Sequence, residues 1–121
     1  FAVENWWTGD RESLQTGQPS RYNIDAIEDS QIALIPKETF DILCKEIPAF
    51  NDMVNMILQR SFVASQSRIH NFISLSAEEK YLQFLEKYPH LPMRVPQGMI
   101  ASYLGITAET LSRIRKNTAR K

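Results

Sequence analysis

Cysteine is almost absent from this 121-residue chain: Cys44 stands alone. One thiol excludes an internal disulfide and a cysteine-built metal cluster, and it suits a reducing compartment, expected here to be the cytoplasm. Histidine is nearly as scarce. His70 and His90 have no cysteine or carboxylate at ligand spacing, so these residues point to no metal site. No apolar run exceeds a few residues, so no transmembrane span or secretory signal is visible and no membrane partner is expected. Ser/His/Asp, Cys/His and paired-carboxylate arrangements are missing, as is a phosphate-binding loop, and the chain reads as a non-enzyme. Methionine is missing at position 1. The chain opens on Phe1 as though entered within a domain, and it is expected to be part of a longer protein.

What is present is ordinary in amount and uneven in placement. Hydrophobic residues make up 43% and charged residues 23%, the balance of a globular protein with one modest core. The net charge of zero hides an asymmetry. Residues 1–90 carry 8 basic and 13 acidic side chains. Residues 91–121 carry 6 basic ones (Arg94, Arg113, Arg115, Lys116, Arg120 and Lys121) against the single acid Glu109. A basic end on a neutral chain marks a local surface for a polyanion such as nucleic acid, although a solvated basic tail has the same composition.

Three regions follow one another. In residues 1–35, Tyr22, Ile24 and Ala26 alternate with polar neighbours, as do Ile32 and Leu34, with Glu28-Asp29-Ser30 between them. This pattern predicts two short strands in a hairpin. Gly9-Asp10 and Gly17-Gln18-Pro19 read as turns on either side of Ser13-Leu14. Pro36 then opens a helix to about Glu46, and Pro48 opens a longer one to Leu75. That longer helix carries apolar residues at spacings of three and four, including Phe50, Met53, Val54, Ile57, Phe62, Ile69, Phe72 and Ile73. At about 37 Å it is too long to be covered along its whole length within so small a chain, so the same helix of a second subunit is its expected cover, the alternative being a core helix that lies over the first region. Ser76-Ala77-Glu78-Glu79 has the form of a capping box, and Pro89 ends the helix it starts. Residues 92–95 read as extended.

The functional motif opens at Gln97. With Gln97 as position one of a helix-turn-helix, the small residue needed at position five is Ala101, and the glycine needed at position nine is Gly105. The apolar positions are filled by Ile100, Leu104, Ile106, Leu111 and Ile114, and Thr107 caps the second helix. Burial of Leu111 and Ile114 turns Ala108, Glu109, Ser112 and Arg113 outward. Arginine can bond guanine O6 and N7 bidentately, glutamate can accept from cytosine N4, and serine is permissive. Glu109 and Arg113 also have the spacing of an intrahelical ion pair. Thr107, Thr110, Arg115 and Lys116 suit phosphates, which position a protein without specifying sequence. Arg120 and Lys121 are expected to touch the backbone as well, since the chain ends too soon for a two-stranded wing.

The run Gly105-Ile106-Thr107-Ala108-Glu109-Thr110-Leu111-Ser112-Arg113, behind a long helix and a hairpin, resembles the C-terminal part of the cyclic AMP receptor/fumarate–nitrate regulator (Crp/Fnr) family. Leu75-Ser76-Ala77-Glu78-Glu79 and the stretch from Val95 to Lys116 are similar to its Bacteroidetes branch. The resemblance implies a mainly α fold with a small β portion. Residues 1–47 would be the end of a cyclic-nucleotide-binding jelly roll, 48–75 a dimerisation helix, and 76–121 a winged-helix-like DNA-binding domain. Glu109, Ser112 and Arg113 match the family's base-reading E-x-x-S-R. Glu4, Ser20 and Arg21 fall where cyclic-AMP binders hold the ligand, but Val3 stands where those binders have Gly before Glu, and Ser20-Arg21 reverses their Arg-Ser order. Cyclic AMP, another effector or none all stay open as cofactor. The function implied is a dimeric, sequence-specific transcription regulator with double-stranded DNA, a second copy and RNA polymerase as partners. The alternative is a cyclic-nucleotide-sensing module working through protein contacts.

Overall fold

A computed structural model describes residues 1–118, so the expected backbone contact of Arg120 and Lys121 lies outside the described residues. The described residues contain helices and no strand. In order, the helices are α1 (Arg11–Thr16), α2 (Lys37–Glu46), α3 (Pro48–Ser74), α4 (Ala77–Lys87), α5 (Leu91–Arg94), α6 (Gln97–Leu104) and α7 (Ala108–Thr118). The chain divides into two compact units, Phe1–Asp52 and Met53–Lys121.

The first unit departs most from the sequence-based expectation. The hairpin expected within residues 22–35 does not form. Tyr22, Ile24, Ile32 and Leu34 are 71%, 61%, 65% and 87% exposed, so the alternating apolar face meets no layer to pack on. Two strands alone are marginal in water; a third strand or a packed helix has to cover one face. The small β portion and the jelly-roll remnant therefore have no strand behind them here. The helix within residues 1–35 is α1, which lies between the turns expected at Gly9-Asp10 and Gly17-Gln18-Pro19. Asp10 accepts from the N–H groups of Glu12 and Ser13 at 3.0 and 3.2 Å, and Gly17 ends the helix at φ 71°. Trp7, Phe40 and Phe50 make a small aromatic cluster with ring centroids 5.9 and 5.7 Å apart, and the Arg11 guanidinium lies 5.7 Å from the Phe40 ring.

Among the described residues, the buried ones all belong to the second unit. Tyr81 and Phe84 of α4, Leu91 and Val95 around α5, Ile100, Ala101 and Leu104 of α6, and Leu111 and Ile114 of α7 form the core, with Val54 of α3 buried as well. Helices α4, α6 and α7 pack on one another. The capping box starts α4 as its sequence dictates: Ser76 Oγ accepts from Glu79 N–H at 3.3 Å, and the Glu79 carboxylate accepts from Ser76 N–H at 2.8 Å. Residues 92–95, expected to be extended, fall instead largely within the one-turn helix α5. Pro92 sits in its first turn, where a fixed φ and a missing N–H cost nothing.

Candidate nucleic-acid interface

The turn between α6 and α7 is built from Gly105 outward. Gly105 adopts φ 68°, ψ 35°, a left-handed conformation that a side chain resists. Its N–H donates to Ser102 O at 3.1 Å, and the Ile106 N–H donates to Ala101 O at 3.0 Å, the paired closure of a Schellman turn. Ala101 is 2% exposed, so a larger side chain there would push α7 off α6. Ile100, Leu104, Leu111 and Ile114 are buried as the spacing requires, while Ile106 is half-buried. Thr107 Oγ1 then accepts from the Thr110 N–H at 3.2 Å and lies 3.1 Å from Thr110 Oγ1, tying down the first turn of α7.

With Leu111 and Ile114 turned inward, the opposite face of α7 is open. Ala108, Glu109, Ser112, Arg113, Lys116 and Asn117 line one shallow concavity there, and all six are exposed. Thr107 and Arg115 are exposed beside it, and Thr110 is half-buried against Thr107. Asn117 was not among the expected contact residues. Its spacing of four from Arg113 was the signal that could have placed it on this face.

Glu109 is held in a particular way. Its carboxyl is lowered below the ordinary glutamate value by the N–H of its own residue and by the Thr107 hydroxyl. An anion at the first turn of a helix is favoured for the same reason. The ion pair that its spacing with Arg113 allows is not formed among the described residues. The Arg113 guanidinium therefore stays available on the open face.

The three residues marked for an effector lie in the first unit and do not converge. Ser20 Oγ donates to Asp10 Oδ2 at 2.7 Å and accepts from the Tyr22 N–H at 3.0 Å. The Asp10 carboxyl is lowered by the Ser20 hydroxyl first and by the Ser13, Glu12 and Arg21 N–H groups after it. Asp10 and Ser20 share one open concavity, whereas Glu4 sits in a separate turn and neither it nor Arg21 lines that surface. Asp10 was read only as part of a turn, yet it is the residue that gathers this segment.

No family model matches the chain, and no solved structure matches it. Two curated proteins do. Over 100 residues, covering 74% of this chain, it is 29% identical to the regulatory protein HlyX of Actinobacillus pleuropneumoniae. It is 26% identical, over 100 residues and the same share of the chain, to the fumarate and nitrate reduction regulatory protein of Yersinia pestis. The chain spans 42% and 40% of the lengths of these relatives. Both are regulatory proteins rather than enzymes, and the likeness they establish, at low identity, is to the Crp/Fnr family of transcription regulators.

Proposed function

We propose that this chain is the DNA-reading and dimer-forming part of a sequence-specific bacterial transcription regulator. The observation that carries the proposal is the α7 face. Its inward residues Leu111 and Ile114 are buried, while Glu109, Ser112, Arg113, Lys116 and Asn117 share one open surface. In this reading Arg113, Ser112 and Glu109 meet base edges in a major groove. Thr107, Ala108, Thr110, Arg115 and Lys116 lie against the flanking backbone.

The long helix α3 supplies the twofold symmetry. Phe62, Ile69 and Ile73 are 65%, 62% and 77% exposed, an apolar stripe of the kind that a second copy of the same helix covers. A dimer then presents two α7 helices to successive major grooves, with half-sites about one helical turn apart. The cytoplasm is the proposed location, in keeping with the single thiol Cys44, and RNA polymerase is the proposed protein partner of the DNA-bound dimer. No helix among the described residues is long and apolar enough to cross a membrane.

The test is fluorescence anisotropy of a labelled duplex titrated with the 121-residue chain at several salt concentrations. The logarithm of the association constant should fall linearly with the logarithm of salt concentration, because Lys and Arg contacts release counterions from the phosphates. Absence of salt-sensitive duplex binding contradicts the proposal.

A further inference from the structure

We propose that Arg68, Asn71 and Phe72 are positioning residues for DNA reading, a three-point mount that fixes the angle of the helix-turn-helix on the end of α3. This rests on the DNA-binding reading of α7 given above. Arg68 stands three residues before Asn71 and four before Phe72, so the three share one face of α3. Each meets a different part of the DNA-binding unit. The Arg68 guanidinium lies 4.4 Å from the centroid of the Tyr103 ring on α6. Asn71 Nδ2 donates to Gln83 Oε1 of α4 at 2.6 Å. The Phe72 ring packs against Gly105 in the turn itself and carries Lys80 Nζ of α4 at 4.6 Å from its centroid.

The reason for a mount is visible in the chain. Only Leu75 and Ser76 separate α3 from α4. Rotation about so short a link would swing α4, α6 and α7 as a body, since these three helices pack on one another. Contacts to α6, to α4 and to the turn between α6 and α7 remove that freedom. None of the three residues belongs to the buried core, so their truncation should leave the unit folded and free its angle. In a dimer joined through α3, that angle sets the separation of the two recognition helices. The mount is thus a determinant of half-site spacing, whereas base preference within a half-site belongs to α7.

The experiment uses Phe72→Ala and the double variant Arg68→Ala/Asn71→Ala in the 121-residue chain, with Phe72→Tyr as the variant that keeps the ring. Each binds a duplex selected from a random pool by the wild-type chain, the same duplex with one base pair added or removed between half-sites, and a single half-site. The wild-type chain and Phe72→Tyr should lose at least tenfold in affinity when the spacing changes. For the two alanine variants that penalty should fall to about twofold or less, with half-site base preference unchanged and cooperative melting retained. Alanine variants that keep the wild-type spacing penalty overturn the mount. So does loss of cooperative melting in both, which would make these residues part of the fold rather than of its aim. A wild-type chain that selects no sequence overturns the DNA reading as well, which separates the two failures.

Discussion

A Cβ placed on Gly105 would overlap Cε2 of the Phe72 ring and lie 3.3 Å from its Cδ2, so the turn of the helix-turn-helix and the end of α3 are fitted to a missing side chain. Two penalties meet in Gly105→Ala. The left-handed φ of 68° costs about 1–2 kcal/mol for a residue with a Cβ. The ring of Phe72 must also move, which costs its contact with the turn. Thermal unfolding of Gly105→Ala, Phe72→Ala and the double variant should therefore be non-additive, with the double variant less destabilised than the sum of the two single changes. Strict additivity would show that the ring and the turn do not touch in solution.

The reading face predicts a division of labour between two cations. Arg113→Ala should weaken binding by about 1–3 kcal/mol and relax preference at one base pair, because a bidentate contact to guanine is lost. Lys116→Ala should weaken binding nearly equally on all sequences and lower the salt slope by about one, the behaviour of a phosphate contact. Parallel binding curves on a panel of single-base variants of the selected duplex measure both. An unchanged base preference in Arg113→Ala would remove that residue from the reading set.

Dimer formation through α3 predicts a clean change in mass. Phe62 and Ile69 are one heptad apart and 65% and 62% exposed, so Phe62→Glu together with Ile69→Glu places repelling charges on the shared stripe. Sedimentation should show the wild-type chain as a dimer and this variant as a monomer, with α-helical circular dichroism retained. A double variant that still sediments as a dimer would mean that α3 is not the interface.

The capping box of α4 gives a pH dependence with a definite sign. The Ser76 hydroxyl first, and its N–H second, hold the Glu79 carboxyl below its unperturbed value of 4.5. A carboxylate whose folded pKa is lowered stabilises the fold above its unfolded pKa, and that stabilisation is lost as pH falls through the folded value. Glu79→Ala should therefore melt at a lower temperature than wild type at neutral pH. The gap should close as pH falls below the unperturbed value of 4.5. A gap that does not change with pH would assign the effect to helix propensity instead.

How far the sequence reached can be traced residue by residue. The helix-turn-helix was legible because its constraints are local: a small Ala101, a left-handed Gly105 and apolar spacing that needs no knowledge of the rest of the chain. The capping box at Ser76 and the prolines at 36 and 48 marked helix starts for the same reason. Asp10 and Gly17 carried the corresponding signals for α1, but only six residues lie between them, too few for periodicity to announce a helix. Alternation at Tyr22, Ile24, Ile32 and Leu34 was a sound strand pattern that fails here because a strand is completed by its neighbours, and the described residues supply none. The mount at Arg68, Asn71 and Phe72 was invisible in sequence, since apolar spacing on α3 shows which face is sticky and not which part of the fold meets it. Among the residues marked for an effector, Ser20 bonds to Asp10, a pairing across ten residues that no local pattern indicated.

The most direct test of the central claim is enrichment of a randomised duplex pool by the 121-residue chain. The account predicts a near-palindromic site with half-sites about 10–10.5 base pairs apart centre to centre, bound roughly a thousandfold or more tighter than scrambled duplex. A pool that emerges without a shared sequence, or a selected duplex bound no better than its scrambled form, would contradict it.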